Sequence, residues 1–174
     1  MTTTPNFRDP APRGLCTDCG VSRMSDPSAC GKACQFIKPD YPTHEQRIHG
    51  AAANSTGDAR FFGVFKAMYR ATLKPAREGA QWTGLTTRLA EQLLESGKID
   101  AVLTMVPDST DRWRPQPAII THAADMAEAR GMRMGYAPLL ALLEPAAAVG
   151  HKRIAVIGIP CQIYALRALE TSLG

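Results

Sequence analysis

The chain has 174 residues, 45% of them apolar and 21% charged, with a formal net charge of +4. This is enough sequence for one globular domain with a real core. Arg, Glu or Lys interrupts every apolar run before the roughly 18 residues of a membrane helix, and the basic residues are interspersed with acidic ones, which argues against a nucleic-acid surface. The N-terminus has neither the apolar core nor the small-residue cleavage site of a secretory signal, so the expected compartment is the cytoplasm.

Residues 1–14 are rich in Pro, Thr and Arg and are expected to form a flexible arm. A cysteine-rich segment follows at 15–47. Cys16, Cys19, Cys30 and Cys34 form a C-x2-C-x10-C-x3-C array, flanked by the turn formers Gly20, Asp26-Pro27-Ser28 and Gly31. Thiolates are soft ligands, and two close pairs can converge on one centre. The spacing suits structural zinc and an iron–sulfur cluster equally. Disulfides are a third reading, disfavoured by the absence of a secretory signal. His44 and His49 lie near enough in sequence to serve as substitute ligands, whereas His122 and His151 belong to no catalytic pattern.

The remainder, 48–174, reads as an α/β domain. Asn54-Ser55-Thr56-Gly57 is an expected exposed loop, and Phe62, Phe65, Met68 and Tyr69 recur at helical spacing, as a core-facing stripe would. Leu85, Leu89, Leu93 and Leu94 mark one face of a helix over 84–96, stopped by Gly97. Residues 99–106 and 118–120 read as strands, 123–130 as a helix, and 136–149 as a further helix ended near Pro145. Residues 154–159 are continuously apolar, as in a strand buried on both faces, and Pro160 opens a helix through Leu169. Strands alternating with helices imply a mostly parallel sheet.

Two loops are placed to carry chemistry. Gly79-Ala-Gln-Trp-Thr-Gly-Leu-Thr-Thr87 puts small and hydroxyl residues where a helix begins, so free N–H groups and the helix dipole can hold a phosphate or a flavin edge. The plainer alternative is an N-cap at Thr83. Cys161 follows Gly158-Ile-Pro160 at the first turn of a helix, where a thiolate is favoured; packing is the alternative. Trp82 and Trp113 are suited either to stacking on a planar ligand or to core packing.

Five elements then carry a resemblance: Cys16-Thr-Asp-Cys19-Gly, Gly79-Ala-Gln-Trp-Thr-Gly84, Arg112-Trp-Arg-Pro-Gln-Pro117, Ala129-Arg-Gly131, and Gly158-Ile-Pro-Cys-Gln-Ile-Tyr-Ala-Leu-Arg167. In this order they resemble the deazaflavin-dependent hydrogenase/dehydrogenase beta subunits, most closely the chlorophyll branch. That branch includes divinyl chlorophyllide 8-vinyl reductases and 7-hydroxymethyl chlorophyll a reductases. The resemblance implies an oxidoreductase passing electrons from reduced ferredoxin through 4Fe-4S clusters and FAD to a tetrapyrrole. It implies flavin contacts at Gln81, Trp82, Thr83, Gly84, Thr86 and Thr87, and cluster ligands at Cys16, Cys19, Cys30 and Cys34. Cys161 is placed with a second cluster or at the flavin.

Ser22 stands where the hydroxymethyl-reductase side has cysteine, so the resemblance favours reduction of the 8-vinyl group of 3,8-divinyl (proto)chlorophyllide. The alternatives are a deazaflavin oxidoreductase, a 7-hydroxymethyl chlorophyll a reductase, or a non-enzymatic zinc-clipped binding module. Family members are longer, which implies a chain truncated at its C-terminal side, lacking a second cysteine-rich segment and much of a substrate pocket. No residue stands out as a general acid.

Overall fold

The computed structural model describes residues 2–3, 14–52, 57–80, 82–133 and 135–172. The expected loop at 54–57 and the expected arm lie almost entirely outside these residues, and Gln81 lies outside them altogether.

A four-stranded sheet is central, built from β1 (Thr2–Thr3), β2 (Ala101–Pro107), β3 (Pro115–Ile120) and β4 (Ile154–Val156) in the order β1-β3-β2-β4. The sheet is mixed, which corrects the expectation of a mostly parallel one. β2 and β3 are joined by a short turn and run antiparallel, with Leu103 opposite Ile119, and β1 adds antiparallel to β3. Only β2 and β4 are parallel, with Leu103 opposite Val156. The 107–115 connection is a hairpin, held by Asp108 accepting from the N–H groups of Thr110 and Asp111; it is too short for the helical crossover that parallel pairing needs.

Side chains of β2 alternate between two buried faces. Val102 and Val106 meet Ala90, Ala118, Ile120 and Met126, under helix α4 (Leu85–Glu95) and the 3-10 segment Ala123–Ala129. Ala101 and Leu103 meet Ile119, Leu139, Leu142 and Ala146 on the other face. That side is covered by the 3-10 turn Leu139–Leu142, which runs directly into helix α5 (Leu143–Ala148). Each fully buried aliphatic side chain contributes about 1.5–3 kcal/mol by leaving water.

A third cluster joins the cysteine-rich segment to the rest. Helix α1 (Ala29–Ala33) packs on helix α6 (Pro160–Ser172), and Val21, Ala33, Leu140, Tyr164, Ala165, Ala168 and Leu169 form their shared core. Helix α2 (Tyr41–His49) is capped by Asp40, and its Tyr41 and His44 rings rest against Tyr164. The Tyr164 hydroxyl accepts from the Asp40 N–H at 2.6 Å and donates to the Lys38 carbonyl at 3.1 Å.

Four further expectations are corrected. The helix implied by the spacing of Phe62, Phe65, Met68 and Tyr69 is confined to the single turn α3 (Ala59–Phe62), and these residues, with Phe61, are exposed instead of forming core. The segment 123–130 is a 3-10 helix, not an α-helix. In α4 the buried residues are Ala90 and Glu91, while Leu89 is exposed, so the helix is rotated relative to its leucine stripe. Of the apolar run 154–159 only Ile154–Val156 is strand, and it is half-buried.

Candidate functional site

The C-x2-C loop is shaped by its backbone. Asp18 has φ +46° and Gly20 φ +109°, and such left-handed residues curl the chain so that N–H groups face the sulfurs. The Asp18 N–H donates to Cys16 Sγ at 3.4 Å, and the Val21 N–H bonds the Cys19 sulfur. Asp tolerates this conformation better than most residues, and the Arg23 guanidinium clamps its carboxylate with a bidentate pair at 2.6–3.0 Å. Gly20 lies against the 3-10 turn; a Cβ there would stand 2.4 Å from the Ala141 nitrogen. The Leu140 N–H also donates to the Cys19 carbonyl at 2.9 Å. The loop is thereby docked on the same turn that covers the sheet.

Cys161, at the N-terminal end of α6, comes back to this loop. Its sulfur lies 3.3 Å from the Thr17 hydroxyl. Burial pushes the Cys19 thiol up to about 11, with Cys30, Cys161 and Cys16 adding like-charge repulsion. Four of the five cysteines therefore share one neighbourhood. Cys34, the second member of the C-x3-C pair, is the C-cap residue of α1. His44 instead packs edge-on to Tyr164. Among the described residues no three His, Cys, Asp or Glu side chains lie close enough to hold a single metal ion.

The second expected loop lines a crevice. A pocket of about 270 Å³ is bounded by Trp82, Thr83, Gly84, Thr86 and Thr87 on one wall and by Thr104, Met126 and Ile157 on the other. Gly84, at φ +67°, is the N-cap residue of α4 and has no side chain to cap it. The N-cap expected at Thr83 is thus displaced by one residue, and the Thr83 hydroxyl accepts from the Leu85 N–H at 3.4 Å. Trp82 is 91% exposed and has φ +56°, a rare conformation for a bulky residue and one that accumulates at functional sites. It stands out from the loop into solvent.

A contiguous pocket of about 240 Å³ extends the crevice past Thr104 and Ile157 to Gly158, Ile159 and Gln162. The crevice therefore lies at the C-terminal end of β4, beside the middle of β2, near the strand ends where ligands of α/β proteins are often held. Gln162 is buried and locks the turn: its Oε1 accepts from the Ile159 N–H at 3.0 Å and its Nε2 donates to the Ala137 carbonyl at 2.9 Å. One turn of chain, 158–162, thus has Gly158, Ile159 and Gln162 on the crevice and Cys161 on the cysteine group.

Sequence reasoning missed Glu91 and Thr104. Glu91 is 5% exposed and anchors Arg77, Arg88 at 3.4 Å and Arg130 at 3.7 Å, tying the loop before Trp82 to α4 and to the 129–131 turn. Its position between Ala90 and Gln92 resembled an ordinary solvated helix face. Thr104 is the lone polar residue of the β2 run, which was the available signal.

Comparison with known proteins gives the same grouping. Residues 68–144 match the family model described as coenzyme F420 hydrogenase/dehydrogenase, beta subunit N-term. The chain is 35% identical over 171 residues to an uncharacterized protein of Nostoc sp., covering 98% of this chain and 43% of that protein. It is 32% identical over 163 residues to the chloroplastic 7-hydroxymethyl chlorophyll a reductase of Oryza sativa subsp. japonica, covering 91% of this chain and 34% of that enzyme. It thus spans less than half the length of either relative. Among solved structures, a chain of the F420-reducing hydrogenase complex from Methanosarcina barkeri superposes with a TM-score of 0.54 at 29% identity, over 60% of this chain and 36% of that one. Residues 68–144 thus carry the coenzyme F420 hydrogenase/dehydrogenase beta subunit N-terminal domain, in a chain that is similar over most of its length to a chlorophyll a reductase.

Proposed function

We propose that this chain is the cluster- and flavin-holding part of an iron–sulfur flavoprotein oxidoreductase that draws electrons from reduced ferredoxin and delivers them to a tetrapyrrole, reducing the 8-vinyl group of a divinyl chlorophyllide. The observation that carries the reading is the 158–162 turn, which has a cysteine group on one side and the crevice on the other. Electron transfer needs such proximity, whereas a structural clip does not.

Cys16, Cys19, Cys30 and Cys161 would hold the cluster, with Cys34 the remaining cysteine of the segment. The fit rests on N–H groups already aimed at two of the sulfurs, those of Cys16 and Cys19. Trp82, Thr83, Gly84, Thr86 and Thr87 would hold FAD, together with Gln81. The start of α4, where Gly84 offers no capping side chain, supplies N–H groups and a positive dipole end for an anionic group of the flavin. When bound, the cluster passes electrons singly and the flavin delivers them in pairs. Gln162 keeps the intervening turn rigid, and Glu91 holds the walls of the crevice in place through its three arginines.

A second reading, in which a deazaflavin coenzyme replaces the tetrapyrrole, is supported by the description of the matching family model. Anaerobic purification with an absorption spectrum and iron, sulfide and zinc analysis tests the common part. A shoulder near roughly 400 nm that bleaches on reduction, with about four irons per chain, supports the proposal. Stoichiometric zinc without visible absorption sinks it in favour of a zinc-clipped binding module. Turnover of divinyl chlorophyllide with reduced ferredoxin, set against turnover of coenzyme F420, separates the two substrate readings.

A further inference from the structure

The crevice opens into a third groove, of about 710 Å³, whose walls include Arg112, Trp113, Arg130 and Arg133. Gly131 lines this groove and both pockets of the crevice, so the three spaces meet at one residue. The arginines differ in how they are satisfied. Arg130 reaches Glu91 at 3.7 Å and donates to the Glu78 carbonyl at 3.5 Å. Among the described residues Arg133 donates to backbone carbonyls, of Met132 and Arg130 at 3.0 Å and of Glu128 at 3.4 Å, and its buried Nε meets no hydrogen-bond partner. Arg112 lies over the Trp113 ring, 5.5 Å from its centroid.

Among the described residues, neither Arg112 nor Arg133 has a carboxylate within ion-pair distance, although Glu78 and Glu128 also line the groove. Arg133, half-buried with an unsatisfied Nε, gains by meeting an anion, and the exposed Arg112 lines the same groove and can share it. Burial and the charge of Arg112 together hold Arg133 below the usual arginine range. The position of Arg133 is also built into the backbone. Gly131 has φ +85°, and a Cβ there would stand 3.1 Å from Arg133 Nη1, so glycine gives the guanidinium its place across the turn.

We propose that Arg112 and Arg133 form an oxyanion-binding subsite at the mouth of the crevice, taking a phosphate or carboxylate of the ligand that lies there, with Trp113 flanking its planar part. This rests on the crevice being a ligand site. Planar N–H forks match either oxyanion with paired hydrogen bonds. The anion has two sources of the same chemistry: the diphosphate of a dinucleotide cofactor, or an acidic group on the substrate.

The test titrates inorganic pyrophosphate, riboflavin and FAD separately into the 174-residue chain and into its Arg112→Gln, Arg133→Gln and Lys98→Gln forms, by calorimetry. Lys98, distant along the α4 surface, controls for net charge. Pyrophosphate binding is expected to weaken about tenfold or more with either arginine variant, the loss of a charge-assisted hydrogen bond, and to be unchanged with Lys98→Gln. Weakened FAD binding with unchanged riboflavin binding assigns the anion to the cofactor. Unchanged FAD binding beside weakened pyrophosphate binding assigns it to the substrate. No pyrophosphate binding, or equal binding by all four proteins, overturns the subsite. Failure of riboflavin to bind, with pyrophosphate behaving as expected, removes the flavin reading and leaves the subsite standing.

Discussion

The hydroxyl of Thr17 lies 3.3 Å from the sulfur of Cys161, a residue 144 positions further along the chain. This contact joins the N-terminal cysteine loop to the first turn of α6 and places Cys161 with Cys16, Cys19 and Cys30. Replacing Cys161 with serine should therefore lower bound iron to below about half of the wild-type content. Cys34→Ser should retain more iron than Cys161→Ser. Metal analysis of the two variants decides the matter; equal loss in both would return Cys34 to the ligand set. Thr17→Val should keep the iron and lower the midpoint potential, because hydrogen bonds to cluster-bound sulfur favour the reduced state.

Gly20→Ala tests the docking of the cysteine loop. The new Cβ would collide with the Ala141 and Leu140 nitrogens at 2.4 and 2.8 Å, and φ +109° adds strain. A loss of about 2–4 kcal/mol in unfolding free energy is expected, readable by urea denaturation. Gly31→Ala, where a Cβ meets nothing within 4 Å, is the neutral control.

Glu91→Gln leaves Arg77, Arg88 and Arg130 facing one buried amide. Removing one member of a buried ionic group costs about 3–5 kcal/mol. The arginines here are about 30% exposed, which places the expectation nearer 2–3 kcal/mol. Thermal unfolding measures it, and a parallel loss of riboflavin binding is expected because the same contacts frame the crevice.

Trp82→Ala removes an exposed ring that packs on nothing in the core. Its unfolding midpoint should be unchanged, while flavin affinity should fall about three- to tenfold, the worth of one aromatic stacking contact. Fluorescence quenching of riboflavin reads the affinity, and a large stability loss with unchanged affinity would mark Trp82 as structural.

Asp100 accepts from Arg153 and from the Lys152 and Arg153 N–H groups, which hold its carboxyl far below the usual range. A depressed folded value means that the stabilisation is fully present above the unfolded value of about 3.9 and fades as the pH falls below it. Asp100→Asn should therefore melt below wild type at neutral pH, with the gap closing in acid. High salt should narrow it too, since Arg153 is largely exposed. A pH-independent gap would point to the amide's geometry instead of the charge.

The periodicity of the chain was enough to locate α4, β2 and the start of α6, because their apolar patterns and flanking Gly and Pro residues are local signals. The Gly79–Thr87 loop and the C-x2-C loop were legible for the same reason, and the ordered motifs around them identified the family. Only tertiary structure decided that Cys161 joins the N-terminal cysteines, that Glu91 is a buried anchor for three arginines, and that the aromatics of 61–69 are exposed. It likewise decided that β3 turns back on β2 as a hairpin, giving a mixed sheet. Each of these depends on which distant surface a side chain meets, and the free energy of that meeting comes from desolvation and pairing between segments. Local residue pattern carries no record of those terms, whereas the packed chain expresses them directly.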